Sequence, residues 1–171
     1  VTTDAFQGQG TICHLHFALR SDNFDVRAVH LLVHQIRDAS VATHASLHSF
    51  IGDTLVASWN ATKRVGKPES KACSFAWQVM QATQKAATAS SSNVIHSRPT
   101  SSYTVSGGIA SGGVRALFGG DDRLRLFNIS FPAWSDRLGE LCRLAKECQC
   151  ICIDANTKKQ SQFDFGVRAI G

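Results

Sequence analysis

The side chains that could do chemistry begin with one carboxylate at a turn. Ser46 to Ala61 reads SLHSFIGDTLVASWNA. Leu47, Ser49 and Ile51 alternate with His48 and Phe50. Beyond Gly52-Asp53, Leu55, Ala57 and Trp59 alternate with Thr54, Val56 and Ser58. Period-two patterning on both sides of a Gly-Asp pair predicts a β-hairpin with Asp53 at its tip. Gly tolerates the positive φ of such a turn, and Asp tolerates it better than most residues. A carboxylate presented there can hold a hard cation such as Mg²⁺, which takes oxygen ligands. The ordinary alternative is a turn Asp that makes only local hydrogen bonds.

Other candidates are weaker. His30 and His34 are four apart on a predicted helix, and His44 and His48 have the same spacing on the strand entering the hairpin. Neither pair has a third ligand or the Glu of H-E-x-x-H, so amphipathic or partly buried histidines are the simpler account. Six cysteines are present, and Cys148, Cys150 and Cys152 alternate along ECQCICID. A zinc site would want paired C-x-x-C motifs, and none exists. Buried reduced thiols fit better and point to a cytoplasmic setting.

These residues need elements to position them. The chain has 171 residues, enough for one domain with a full core. No apolar run approaches the length of a membrane span, so membrane attachment would come only through segments outside this sequence. Val1 to Gly10 is polar and Gly-rich, unlike a leader peptide. The net charge is +5. Its cations are scattered, which argues against a nucleic-acid surface.

Residues 1–9 read as an end segment or linker and 10–171 as a single domain. Thr11 to Leu19 predicts a strand. A helix follows over 24–40, with Val26, Val29, Val33 and Ile36 on its buried face. Pro68 suits a helix start, and the helix over 69–87 puts Ala72, Phe75, Ala76, Val79 and Met80 on one face. Residues 88–102 read as a mobile Ser-rich loop. Tyr103 to Phe118 predicts two strands broken by Gly-rich turns, and Leu124 to Ile129 another strand. A helix covers 134–147, Cys148 to Ile153 reads as a cysteine-faced strand, and Phe163 to Ile170 as a last strand. The order predicts an α+β fold.

The pattern F-I-G-D-x-L-x-x-x-W-N-A, entered by a strand and followed by an Ala-rich helix, resembles the class III nucleotidyl (adenylyl and guanylyl) cyclase homology domain. GIASGGVRALFG, Arg137-Leu138 with Glu140-Leu141, ICIDANT and GVRAIG resemble later pieces of that family in the same order. The resemblance covers about residues 10 to 171. It implies a ferredoxin-like-derived cyclase fold, a central mostly antiparallel sheet of about seven strands with helices packed on it. It implies cyclisation of ATP or GTP to cAMP or cGMP, with two Mg²⁺ or Mn²⁺ ions bringing the ribose 3′-hydroxyl onto the α-phosphate. It also implies a head-to-tail dimer, homodimer or heterodimer, with sites built from both chains.

Carried onto this sequence, the resemblance makes Asp53 one metal carboxylate and puts His16 where the second belongs. Neutral imidazole is a poor Mg²⁺ ligand. Asp22 and Asp25 follow, beyond the strand. Arg137 matches the phosphate-contacting Arg. Ala133 stands in place of the ribose-orienting Asn, and Ser49 and Leu126 in place of the base-selecting pair. The expectation is a degenerate cyclase homology domain of a larger signalling protein, working in dimerisation and regulation. The alternative is a divergent active cyclase using Asp22 or Asp25. Gly119-Gly120-Asp121-Asp122 superficially resembles the hairpin of diguanylate cyclases, but Arg123-Leu124-Arg125 departs from it, and a charged turn is the simpler account.

Overall fold

The computed structural model describes residues 2–19, 26–89, 103–120 and 125–169. Their elements run β1 (Thr2–Leu19), α1 (Val26–Thr43), β2 (Ser46–Ile51), β3 (Thr54–Trp59), α2 (Pro68–Ala89), β4 (Tyr103–Gly120), β5 (Arg125–Ser130), α3 (Ser135–Cys148), β6 (Ile151–Ile153) and α4 (Ala155–Ser161). β1 and β4 pair antiparallel along their whole lengths, from Thr2 opposite Gly120 to Leu19 opposite Tyr103. β3 joins the other edge of β1 and carries β2, while β5 and the short parallel strand β6 join the other edge of β4. The sheet is therefore α+β and mostly antiparallel, as expected, with six strands among the described residues. No helix among those residues is long and apolar enough to cross a membrane.

Alternation along the strands gives the sheet two apolar faces. Cys13, Leu15, Leu55 and Trp59 point to one, where α1 and α2 cover them with Ile36, Phe75, Ala76 and Val79. Ile12, Ala110 and Val114 point to the other, where Trp134 and Leu138 cover them. The indole of Trp59 also donates to the Thr43 carbonyl at 3.0 Å, tying β3 to the end of α1.

Several expectations are corrected. Residues 2–9 are no linker; they extend β1. The buried face of α1 is Leu32, Ile36, Ala39 and Thr43, while Val26 and Val33 are exposed. Both stripes are apolar at helical spacing, and packing against α2 selects between them. Residues 88 and 89 finish α2, and the rest of the Ser-rich segment lies outside the described residues, as do Asp121 and Asp122. Cys148 ends α3 rather than opening a strand: Gln149 adopts a left-handed conformation (φ 51°) and β6 begins only at Ile151. Asp154 then caps a short helix, α4, that the sequence pattern did not signal. The stretch over 163–169 is turn and irregular backbone, with Phe165 tucked against the core and Phe163 exposed.

The segment expected to break at its glycines is one continuous strand, β4. Its glycines serve close approach instead. A Cβ on Gly112 would lie 2.6 Å from the Trp134 indole nitrogen, and one on Gly108 would lie 3.1 Å from the backbone nitrogen of Cys142. Bare backbone at these positions lets Trp134 and α3 lie flat on the sheet. The indole then donates to the Gly113 carbonyl at 2.9 Å and stacks on Phe131.

Gly112→Val should therefore lower stability by about 1–3 kcal/mol through overpacking. Gly119→Val, where a Cβ meets nothing within 4 Å, should change it by less than about 0.5 kcal/mol. Urea unfolding of the two variants checks this; equal effects would mean that close approach is not what these glycines provide.

Candidate active site

The hairpin forms as the sequence predicts. Gly52 takes φ +61° and β3 returns beside β1, with His16 opposite Thr54. The amide of Phe17 donates to the Asp53 carbonyl at 2.8 Å, fastening the turn to β1. This register brings the two expected metal positions together. His16 Nε2 lies 2.5 Å from Asp53 Oδ2. An ionised carboxylate only accepts, so the imidazole nitrogen carries the proton between them. Thr54 Oγ1 donates to the other oxygen, Oδ1, at 3.1 Å. What burial there is pulls the Asp53 carboxyl up, but the Thr54 hydroxyl and the neighbouring His16 outweigh it and hold it below the ordinary value. The Asp53 side chain is 59% exposed, so the contact is a surface one and contributes modestly to stability.

Such a centre suits two divalent cations poorly. A two-metal site needs bridging carboxylates. Among the described residues one carboxylate is present here, and both of its oxygens already accept hydrogen bonds from the protein. Asp22 and Asp25, the alternative carboxylates, lie outside the described residues.

Arg137 is also engaged. Its Nη2 lies 3.0 Å from Asp154 Oδ2, a carboxylate only 2% exposed. This oxygen has no aligned hydrogen-bond donor, so the approach is a charge contact without hydrogen-bond geometry. The second oxygen, Oδ1, accepts from the Thr157 amide at 2.9 Å and caps α4. Arg137 Nη2 is also 3.5 Å from the Ser111 carbonyl, which Asn156 Nδ2 reaches at 3.2 Å. Ser111 stands five residues along β4 from Ser106, the partner of His16, or about 17 Å along the strand. One chain thus holds Arg137 and Asp53 apart.

The remaining expected positions are scattered. Ser49 is half-buried on β2, opposite Val56 and just past a register shift. Leu126 pairs with Gly119 on β5. Ala133 is exposed in the turn before α3 and lines a cleft of about 470 Å³ with Gln7, Gln9, Arg115 and Ser130. Among the described residues, neither Ser49 nor Ala133 hydrogen-bonds to the His16–Asp53 pair.

The sequence reading missed Asp154, whose side chain caps α4. It also missed the buried hydroxyls of Thr11, Ser111 and Thr157, linked at 3.0 and 2.7 Å. His30 Nε2 and His34 Nε2 lie 3.3 Å apart, and no cluster of three or more His, Cys, Asp or Glu suited to a metal exists among the described residues. His48 instead turns toward Ser58, 2.6 Å from its hydroxyl, and burial pushes its pKa down to about 4.

No family model matches this sequence, and no curated protein matches it. Solved structures do. The catalytic core of a rhodopsin-guanylyl cyclase with converted specificity, in complex with ATPαS, superposes with a TM-score of 0.72 at 15% identity, over 95% of this chain and 86% of that one. The guanylate cyclase domain of RhGC from Catenaria anguillulae, in complex with GTP, gives 0.70 at 14% identity, over 95% and 86%. The adenylyl cyclase CyaB from P. aeruginosa gives 0.66 at 14% identity, over 94% and 83%. The fold is that of nucleotidyl cyclase catalytic domains.

Two outcomes follow from the geometry. Arg137→Gln should destabilise the domain by about 1–2 kcal/mol, because it leaves a buried carboxylate without its cation. Asp154→Ala should cost more, since the α4 cap goes as well, worth about 1 kcal/mol. Chemical denaturation orders the two; the reverse order would remove the cap from the account.

The second outcome concerns pH. Burial lowers the pKa of both His14 and His48. A histidine with a depressed folded pKa contributes stability that is fully present above its unfolded value and lost as pH falls toward the folded one. For His48 that window runs from 6.5 down to about 4. Denaturation midpoints should drop across it, and His48→Gln should flatten the drop. An unchanged slope in that variant would assign the loss to other groups.

Proposed function

We propose that this chain is a class III nucleotidyl cyclase homology domain of a larger signalling protein, catalytically degenerate, that pairs with another cyclase domain and regulates its cyclic nucleotide synthesis. One observation carries the reading: the 2.5 Å contact between His16 and Asp53. His16 and Asp53, which the resemblance assigns to the two metal carboxylates, lie side by side, and an imidazole N–H occupies the carboxylate oxygen that a cation would use. The residues present do not fit a two-metal centre, so Mg²⁺ or Mn²⁺ would bind weakly.

The other end of the chemistry is similarly spent. Arg137 is paired with Asp154, and Ala133 offers no hydrogen-bonding side chain toward a ribose. Ser49 and Leu126 give no basis for choosing ATP over GTP. Because one chain holds Arg137 and Asp53 apart, only a second chain could bring an arginine of this kind to a metal-bearing hairpin. A homodimer would meet the same defects twice. A heterodimer with a domain carrying both carboxylates would need from this one only its surface and Arg137. Exposed Leu47, Phe50 and Ile51 on the hairpin supply apolar area for such a contact.

With Mn²⁺ and either ATP or GTP, the isolated domain should turn over at least ~10²-fold below ordinary rates of ~1 s⁻¹. Adding it to a cyclase domain that carries both carboxylates should change that domain's rate. His16→Asp should raise Mn²⁺ affinity at least ~10-fold by restoring a second carboxylate. Turnover near ~1 s⁻¹ by the isolated domain would overturn the degenerate reading and direct attention to Asp22 and Asp25.

A further inference from the structure

A second concavity lies at the β6 edge of the sheet, away from the hairpin. Its volume is about 560 Å³, within the range of small-molecule sites. Trp77 and Met80 of α2, Leu141 and Leu144 of α3, Ile151 of β6 and Val167 form part of its apolar wall. The only charged residues on the lining are Lys158 and Arg168. Neither has an ion-pair partner recorded among the described residues. From this combination we infer that the cleft binds the anion of a medium-chain fatty acid, its hydrocarbon against the apolar wall and its carboxylate at Lys158 and Arg168.

The chemistry of the lining narrows the choice. A metal ion would need thiolates, but burial pushes the pKa of Cys73 up to about 11 and that of Cys152 up to about 12. These sulfurs are neutral thiols near pH 7 and add to the apolar wall, leaving the two cations unneutralised. A nucleotide would want hydrogen-bonding partners for its base and sugar, and the aliphatic and aromatic walls provide few. An uncharged hydrocarbon would leave the cations unused. A single carboxylate on an apolar body satisfies both features. Trp77, 48% exposed although it is a large apolar side chain, would lose water contact on binding. The site shares no residue with Asp53, His16 or Arg137, so it stands whether or not the cyclase reading does.

Dodecanoate, kept below its micelle concentration, is the probe. It should quench or shift the fluorescence of the whole chain saturably, with calorimetry giving one site per chain. Trp59 and Trp134 are buried, so Trp77→Phe should remove most of the optical signal while calorimetric binding persists. Affinity should climb about fourfold per added methylene from hexanoate upward, until the cleft is full. The double variant Lys158→Gln/Arg168→Gln should weaken dodecanoate roughly tenfold or more and leave dodecanol within about twofold. Leu144→Trp should fill the cleft and abolish both, with circular dichroism showing that the fold is kept. No saturable binding, or equal dodecanoate affinity in the double variant, would overturn the proposal. So would a Leu144→Trp chain whose main change is in oligomeric size, because a second copy would then be the occupant.

Discussion

Everything in this domain hangs on the pairing of β1 with β4. Each strand runs 18 residues, and together they form the spine to which β3, β5 and β6 attach directly and β2 through β3. The pairing constrains composition more than length. Helices pack on both faces, so β4 must be thin where they come closest, and Gly107, Gly108, Ala110, Ser111 and Gly112 are all small. Trp134 fills the space that this thinness leaves. Register fixes the chemistry too: β1 against β3 sets His16 beside the hairpin tip, and β4 holds Ser111 beside the Arg137–Asp154 contact.

Two contacts then engage the groups that the family resemblance would assign to metal and phosphate. His16 lies on Asp53 at the surface, where water screens the pair and its energy is small. Arg137 lies on Asp154, whose carboxylate is buried and whose other oxygen caps a helix. The second contact matters more to the fold, because a buried carboxylate that lost its cation would keep its desolvation cost. An arginine so held is a structural group first. To reach a phosphate it would have to leave Asp154, and the partner's phosphate would have to outweigh that loss.

Much of the fold was legible because its signals are local. The Gly-Asp turn between alternating strands, Pro68 opening α2 and the spacing of Leu138 and Leu141 each belong to a single element, and each held. The failures came where tertiary contact decides. Gly-Gly in β4 reads as a turn unless one knows that an indole lies above it. Polar, Gly-rich residues 2–9 read as a linker unless one knows that β4 extends to receive them. Cys148 alternates with Cys150 and Cys152, yet α3 runs on to include it. At the site, pattern placed His16 and Asp53 in corresponding positions, but the length and direction of their contact depend on side-chain geometry that pattern does not encode. Asp154 escaped notice because a capping Asp and a turn Asp look alike in sequence.

The positions that would have lost their chemistry are those on which the fold depends least. Ala133 is exposed, and His16 and Ser49 are half-buried. None belongs to either core cluster. The residues that make the sheet thin and its faces apolar are nearly all fully buried, and substitutions there carry overpacking or cavity costs. A chain under pressure only to keep its shape can therefore lose surface carboxylates and amides while its glycines and Trp134 stay fixed. The energetic separation of scaffold from site accounts for close superposition on cyclase domains at 13 to 16% identity. It also explains why shape similarity of this kind carries information about the fold, which the scaffold builds, and little about turnover, which a few exposed side chains decide.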